Sequence, residues 1–124
     1  MSNYLKPTES ELEILQILWD KKEATVREVH ELLSETKNAG YTTTLKLMQI
    51  MHEKGLVTRD ESSKSHIYKP AISRKKTQKQ FLDKMIKGLF SGSSTELVMQ
   101  ALGQRKSSQK ELDEIQKYLD ELKK

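Results

Sequence analysis

The sequence predicts a mainly α-helical fold in which three helices and a β-hairpin precede a further set of helices. Two capping boxes, each a threonine followed three positions later by a glutamate, mark the starts of the first two helices. Apolar residues recur with the period of a helix as far as Gly55, after which the period becomes that of a strand. Three helices followed by a hairpin within about 70 residues is the order of a winged helix-turn-helix.

The first two helices each begin at a threonine. Thr8 opens the first capping box, and leucines at helical spacing predict a helix that continues to about Lys21. Thr25 opens the second box, and the helix that follows is predicted to end near Thr36. The glutamates of both helices, Glu11 among them, are interpreted as caps or as solvated side chains.

The third helix is predicted to run from about Thr42 to Lys54 and to stop at Gly55. Asn38 and Gly40, in the turn before it, are suited to the left-handed conformation that ends a helix. At 100° per residue, one side of the third helix is apolar and the other is polar. The core side carries Thr44, Leu47, Met48 and Met51, and the opposite side carries Thr42, Lys46, Gln49 and Glu53.

Two strands are predicted after Gly55, covering about residues 56–61 and 66–70. Their composition and spacing are typical of a hairpin, and the polar run Ser62-Ser63-Lys64-Ser65 forms its tip. With the three helices, these strands complete a winged helix-turn-helix domain, which is predicted to occupy residues 1–72.

Residues 73–124 predict a helical domain that pairs with a second copy of itself. Ser73 and Ser108 can each cap a helix, and a shorter helix ends between them at Gly103. About 50 residues cannot bury many apolar side chains alone, and closed two-fold dimers are the commonest oligomers. We therefore expect a homodimer. Its predicted dimerisation residues are Leu82, Ile86, Leu89, Phe90, Leu97, Leu112, Ile115 and Leu119.

Positive charge is concentrated in the middle of the chain. Residues 37–87 hold twelve Lys/Arg and four Asp/Glu, a net charge of +8, whereas residues 1–36 carry −4 and residues 88–124 carry zero. The basic segment contains the third helix and the hairpin, which is the distribution expected of a nucleic-acid binder. A merely solvated basic surface would have the same charge, so charge alone leaves both interpretations open.

The exposed start of the third helix is the predicted DNA-binding surface, because this helix of the motif enters the major groove by its N-terminal residues. Threonine hydroxyls can donate to phosphate, lysine can donate to guanine, and glutamine can pair with adenine. The alternatives are helix capping by one threonine and ordinary solvation of the other side chains. The predicted DNA-binding residues are Thr42, Thr43, Lys46 and Gln49 on this helix, Lys64 at the hairpin tip, and Thr25.

Catalytic and metal-binding functions find no support in the sequence. The chain has no cysteine, and His30, His52 and His66 lie on three separate predicted elements without the spacing of metal ligands. It also lacks a glycine-rich phosphate loop, a nucleophile elbow and an apolar run long enough to span a membrane. We therefore expect a cytoplasmic protein that is not an enzyme and that needs no cofactor.

Several short motifs resemble the penicillinase-repressor (BlaI/MecI/CopY) family in their order and spacing. They are PTESELEIL at 7–15, LW at 18–19, ATVREV at 24–29, YTT at 41–43, EKGLV at 53–57 and YKP at 68–70. Together they span most of residues 7–70, although EKGLV alone occurs in many winged helices. The helical domain matches more loosely, by its layout and by Leu89-Phe90 before a small polar run.

The resemblance implies a homodimeric transcriptional repressor that binds a palindromic operator in double-stranded DNA, often upstream of its own gene and of resistance or transport genes. It implies dimerisation through the C-terminal helices. In the resistance-gene branch, a membrane-bound sensor metalloprotease is a further partner and triggers cleavage of the repressor's C-terminal domain. The copper branch instead senses metal through a C-terminal cysteine cluster.

This sequence departs from the family at three places. Without cysteine it has no copper-sensing cluster. The Asn-Phe dipeptide of the cleavage branch is absent, and the corresponding stretch is Val98-Met99-Gln100-Ala101-Leu102. Ile50 replaces a basic residue that many members carry on the flank of the third helix.

Two other functions are compatible with the sequence. A winged helix can be a protein-interaction module, in which case the +8 segment would bind an acidic partner. It can also be a nonspecific DNA-binding protein held by charge alone. Neither function accounts for the outward threonines, lysine and glutamine of the third helix as well as operator binding does.

Overall fold

The computed structural model describes residues 6–104 and 106–124, and this part of the chain contains six helices and three strands. It divides into two compact units, one ending at Thr77 and the other beginning at Gln78. No helix of the described residues is long and apolar enough to cross a membrane. In chain order the elements are α1 (Glu9–Lys21), β1 (Ala24–Thr25), α2 (Val26–Leu33), α3 (Tyr41–Glu53), β2 (Val57–Asp60), β3 (Ile67–Pro70), α4 (Arg74–Leu89), α5 (Ser94–Gln104) and α6 (Gln109–Leu122).

Capping boxes begin three of the helices, the two for which a box is predicted and the one for which Ser108 is predicted as a cap. In the box that opens α2, the N–H of Glu28 donates to the Thr25 hydroxyl at 3.2 Å, and the N–H of Thr25 donates to the Glu28 carboxylate at 2.8 Å. The bond from the Thr25 backbone lowers the pKa of Glu28, because it stabilises the ionised carboxylate. The three boxes pair Thr8 with Glu11, Thr25 with Glu28, and Ser108 with Glu111.

Two predictions about the turn between α2 and α3 are wrong. The second helix ends at Leu33, not near Thr36. The Ser34 hydroxyl donates to the His30 carbonyl at 2.8 Å beside the Ser34 N–H, and the next two N–H groups make tighter i→i−3 bonds. Gly40 is not left-handed: with φ −78° and ψ 155° it is the extended N-cap of α3. Gly55, by contrast, has φ +82° and ends α3 where the sequence predicts.

The sheet contains a strand that the sequence does not predict. The short strand β1 pairs antiparallel with β3, with Ala24 opposite Tyr68, so the strand order is β1-β3-β2. Two residues are too few to show a period of two, and their pairing depends on where the hairpin packs. β1 joins the predicted hairpin to the start of α2. We call β2, β3 and the tip at residues 62–65 the wing.

The core of the first unit lies between α1, α2, α3 and the wing. Trp19, at its edge, donates its indole N–H to the carbonyl of Ile72 at 2.9 Å, which holds α1 against the segment that precedes α4. The third helix packs into this core through the side that the sequence predicts to be apolar. The largest fully buried side chains are Tyr68, Ile14, Leu15, Leu18, Met48, Met51, Leu56, Val29 and Thr44.

The second unit has no comparable core among its described residues. Neither α5 nor α6 has a buried residue, and the one buried residue of α4, Thr77, belongs to the first unit. Leu89 is 77% exposed. Of the predicted dimerisation residues, Leu82, Leu89, Leu112 and Leu119 are exposed, while Ile86, Phe90, Leu97 and Ile115 are half-buried.

An ion pair between a buried glutamate and a half-buried lysine joins the start of α1 to the end of α3. The Nζ of Lys54 lies 2.6 Å from Oε1 of Glu11, and it also donates to the carbonyl of Lys6. The capping role predicted for Glu11 is confirmed, but the side chain is not solvated, because the residue is only 2% exposed. The carboxylate therefore caps one helix and holds the last turn of another.

Replacing Lys54 with methionine should leave the Glu11 carboxylate buried without its cation. We expect the free energy of unfolding to fall by about 3 kcal/mol, as is typical when one partner of a buried pair is removed. Lys37 provides a matched control, since it pairs with Glu13 at 2.7 Å but both side chains are more than 40% exposed. Lys37→Met should lower the free energy of unfolding by less than about 1 kcal/mol. Urea unfolding measures both variants. Equal losses of unfolding free energy would mean that burial does not make the Glu11–Lys54 pair more important than the exposed pair.

Candidate nucleic-acid interface

The outward side of α3 is determined by what the helix buries. Thr44, Met48 and Met51 are at most 1% exposed and face α1 and α2. The separation of sides that helical spacing predicts is therefore present in the structure. The polar residues predicted on the opposite side are all exposed, together with the neighbouring Thr43: Thr42, Thr43, Lys46, Gln49 and Glu53.

The three consecutive threonines at the start of α3 have different environments. Thr44 is buried, and its hydroxyl lies 3.1 Å from Nδ1 of His30, whose Nε2 lies 3.3 Å from the Ser34 hydroxyl. Thr42 and Thr43 are exposed, and the N-cap of α3 is Gly40, which makes no side-chain capping bond. Capping of α3, which is the alternative to DNA contact for these two threonines, is therefore not their role. Their hydroxyls remain available at the surface.

A groove of about 330 Å³ lies beside α3, between the start of α2 and the wing. Three of the predicted DNA-binding residues, Thr25, Gln49 and Lys64, line this groove. The other three, on the outward side of α3, do not. The lining also includes Arg27, Arg59 and Tyr41, which sequence analysis does not single out as functional.

Arg59 has two neighbours in the groove. Tyr68, which is only 2% exposed, lies opposite it in the pairing of β2 with β3. The Nε of Arg59 donates to Oε2 of Glu61 at 2.6 Å. Interaction with the Tyr68 side chain, followed by that with Glu61, raises the pKa of Arg59, and the bond from Arg59 lowers the pKa of Glu61. Both shifts favour the charged forms, so Arg59 and Glu61 form an ion pair at neutral pH.

Arg27 is positioned by an aromatic stack at the start of α3. Its guanidinium carbon lies 5.6 Å from the centre of the Tyr41 ring, within the range of a cation–π contact. His30 meets the same ring edge-on, with the centroids 5.5 Å apart and the planes at 81°. Because Tyr41 is the first residue of α3, these contacts join α2 to the first turn of α3.

Thr25, at the edge of the groove, also caps a helix. It is half-buried, and its hydroxyl both accepts the N–H of Glu28 and donates to the Glu28 carboxylate at 3.2 Å. Its side chain is therefore engaged in the capping box that begins α2.

Among the described residues, no group of three or more histidine, aspartate or glutamate side chains could hold a metal ion.

Three helices, a three-stranded sheet that includes the wing, a polar outward side on α3 and a basic groove are typical of the class of winged helix-turn-helix DNA-binding regulators. Within that class, the chain belongs to the penicillinase repressor family, whose model matches residues 7–121. The resemblance found in the sequence motifs is thus confirmed. Members of this family are transcriptional repressors and not enzymes.

Individual relatives support the same assignment. The chain is 27% identical over 115 residues to the methicillin resistance regulatory protein MecI of Staphylococcus aureus (strain N315), with 90% of each chain covered. It is 24% identical over 119 residues to a penicillinase repressor of Staphylococcus aureus, covering 93% of this chain and 91% of the relative. It is also 32% identical over 78 residues to the transcriptional regulator BlaI of Mycobacterium tuberculosis (strain ATCC 25618 / H37Rv). That match covers 62% of this chain and about half, 51%, of the relative.

A solved structure has the same fold as the first unit. The solution structure of the DNA binding domain of the repressor BlaI matches with a TM-score of 0.53 and 22% sequence identity. The match covers 60% of this chain and 90% of that domain. The predicted fold class, a winged helix-turn-helix followed by helices, is therefore confirmed.

Matched substitutions of two threonines should separate the inner and outer sides of α3. Thr44→Val removes the hydroxyl that bonds to His30, and we expect the free energy of unfolding to fall by about 1 kcal/mol. Thr42→Val changes an exposed residue and should alter the free energy of unfolding by less than about 0.5 kcal/mol. Thermal or urea unfolding measures both variants. A larger loss for Thr42→Val would mean that the assignment of sides is wrong.

Proposed function

We propose that this protein is a homodimeric transcriptional repressor that binds a palindromic operator in double-stranded DNA. The observation that carries the proposal is the outward side of α3, where Thr42, Thr43, Lys46 and Gln49 are exposed although neither the core nor a cap requires them. Family membership supports it. So do the names of the relatives, among them a transcriptional regulator and a penicillinase repressor.

The outward side of α3 has the residue types needed to distinguish bases in the major groove. The groove of B-DNA is about 12 Å wide and accepts an α-helix. Thr42 and Thr43, in the first turn, can donate to phosphate or contact a thymine methyl. Lys46 can donate to guanine O6 and N7, and Gln49 can form paired bonds with adenine. Lys64 at the tip of the wing would contact backbone phosphate or the minor groove.

Dimerisation is proposed to occur through the helical domain at residues 73–124, leaving residues 1–72 as the DNA-binding domain. The support is the exposed apolar surface of that domain. In α6, Leu112, Ile115, Leu119 and Leu122 are spaced three, four and three residues apart, the pattern of a helix that packs against a partner helix. A two-fold dimer would place two copies of α3 about 34 Å apart, one turn of DNA, or a multiple of it.

Repression would follow from occupying a promoter and excluding the polymerase. By analogy with the relatives, whose names include methicillin resistance and penicillinase, the regulated genes are proposed to be resistance or transport genes. A membrane-bound sensor metalloprotease is a proposed partner in induction. Because residues 98–102 contain no Asn-Phe dipeptide, cleavage in response to it would use another site.

Selection of bound duplexes from a random pool tests the proposal directly. The purified chain is mixed with the pool at about 150 mM salt, where phosphate contacts alone bind weakly. We expect an inverted repeat to be recovered, because two related copies of α3 would contact two half-sites. Recovery of bound DNA without a consensus would favour a nonspecific DNA-binding protein. Recovery of no DNA would favour a protein-interaction module, and either result would overturn the proposal.

Lys46→Ala should reduce affinity for the selected operator much more than affinity for a random duplex. The reason is that a contact to a guanine edge contributes only at the correct base, and its loss costs about 1–3 kcal/mol, or roughly 5- to 150-fold in affinity. Lys69→Ala is the control, because Lys69 is an exposed lysine of the wing that does not line the groove. Equal losses on both duplexes for Lys46→Ala would identify a phosphate contact.

A further inference from the structure

The groove beside α3 contains three cationic side chains outside the predicted base-contacting set on α3: Arg27, Arg59 and Lys64. Within the part of the chain that the structure describes, they form a single ion pair, that of Arg59 with Glu61. Three positive side chains surround this groove, and one carboxylate pairs with one of them. The groove has an excess of positive charge as a result. The groove therefore favours an anionic ligand.

Arg59 is prepared to bind such a ligand through two parallel hydrogen bonds. Arg59 lies opposite buried Tyr68 in the sheet, and both residues line the groove. Its Nε and Nη2 atoms lie 2.6 Å and 2.5 Å from the same oxygen of Glu61. Both donors converge on one carboxylate oxygen here. A phosphate can offer a separate oxygen to each donor, and that two-bond geometry is the one that the planar guanidinium fits. Glu61 therefore occupies donors that a phosphate could use.

We propose that this groove binds one phosphate of the DNA backbone through Arg59, with Arg27 and Lys64 adding charge, and that this phosphate displaces the Glu61 carboxylate from Arg59. The inference rests on the proposed function, because it places DNA against α3. Glu61 would then be a built-in competitor that lowers affinity for every duplex equally.

The position of the groove identifies the phosphate as one from duplex DNA. Gln49 belongs both to the outward side of α3 and to the lining of the groove. Lys64, on the opposite side of the groove, belongs to the tip of the wing. A duplex lying against α3 has a backbone strand at each edge of its major groove, so one strand would pass between α3 and the wing. The pair that must open is accessible, since the Glu61 side chain is 52% exposed.

Binding of a random-sequence duplex by Arg59 and Glu61 variants tests the inference. Arg59→Gln should lower affinity about tenfold and reduce the slope of log affinity against log salt by about 1, the change expected for one lost phosphate contact. Arg59→Lys keeps the charge but loses the fork, and should still bind several-fold more weakly. Glu61→Gln should bind about threefold more tightly, because the competitor is removed.

Two controls separate this mechanism from a general effect of charge. Asp60→Asn makes the same change of charge one residue away, where the carboxylate accepts the N–H of Ser62 at 2.9 Å and makes no ion pair with Arg59. It should gain less than half as much affinity as Glu61→Gln. In the Arg59→Gln background, Glu61→Gln should bring no gain, because the two residues act as one unit. Thermal unfolding of each variant identifies any loss of folded protein.

Two outcomes would overturn the inference. A gain from Glu61→Gln that persists without Arg59 would mean that Glu61 acts only through its charge. An unchanged salt slope in Arg59→Gln would mean that Arg59 contacts no phosphate. Because the duplex has a random sequence, these results do not depend on an operator. If selection yields no consensus but the variants behave as expected, operator binding fails and the phosphate site stands.

Discussion

Burial of one side of α3 is the constraint on which the rest of the DNA-binding unit depends. Thr44, Met48 and Met51 fill the core, and a rotation of the helix by one residue would replace the two methionines there with Gln49 and His52. Contacts at both ends hold the helix in its observed rotation. His30 bonds to Thr44 at the start of the helix, and Glu11 pairs with Lys54 just beyond its last residue. Core packing thus determines which side chains reach the surface.

The same core also positions the wing. The sheet order β1-β3-β2 joins the hairpin to the start of α2, and the pairing of β2 with β3 places Arg59 opposite buried Tyr68. Two surfaces of different chemistry result, a polar side of α3 suited to bases and a basic groove suited to phosphate. Phosphate contacts position a protein on DNA, whereas contacts to base edges provide specificity. Under the proposed function, the two surfaces share only Gln49, so affinity and specificity could change largely independently.

The helical unit from Gln78 onward has the opposite character. Its helices begin at well-formed caps but bury few side chains, and Leu89 and Leu122 are more than 60% exposed. Local caps and propensity rarely stabilise helices of this length in water, so most of the stability must come from packing against other residues. Under the proposed dimer, a second copy would supply that packing, and folding of this unit would depend on protein concentration.

Local patterns of sequence determined the helix starts, the sides of α3 and the hairpin, because a capping box or a helical period involves residues close together in the chain. The same patterns led to the correct family. Tertiary structure alone decided the burial of Glu11, whose partner Lys54 is 43 residues away. It also decided the pairing of β1 and the convergence of Arg27 and Arg59 on one groove. These features depend on contacts between segments that come together only when the core packs, so no local pattern marks them.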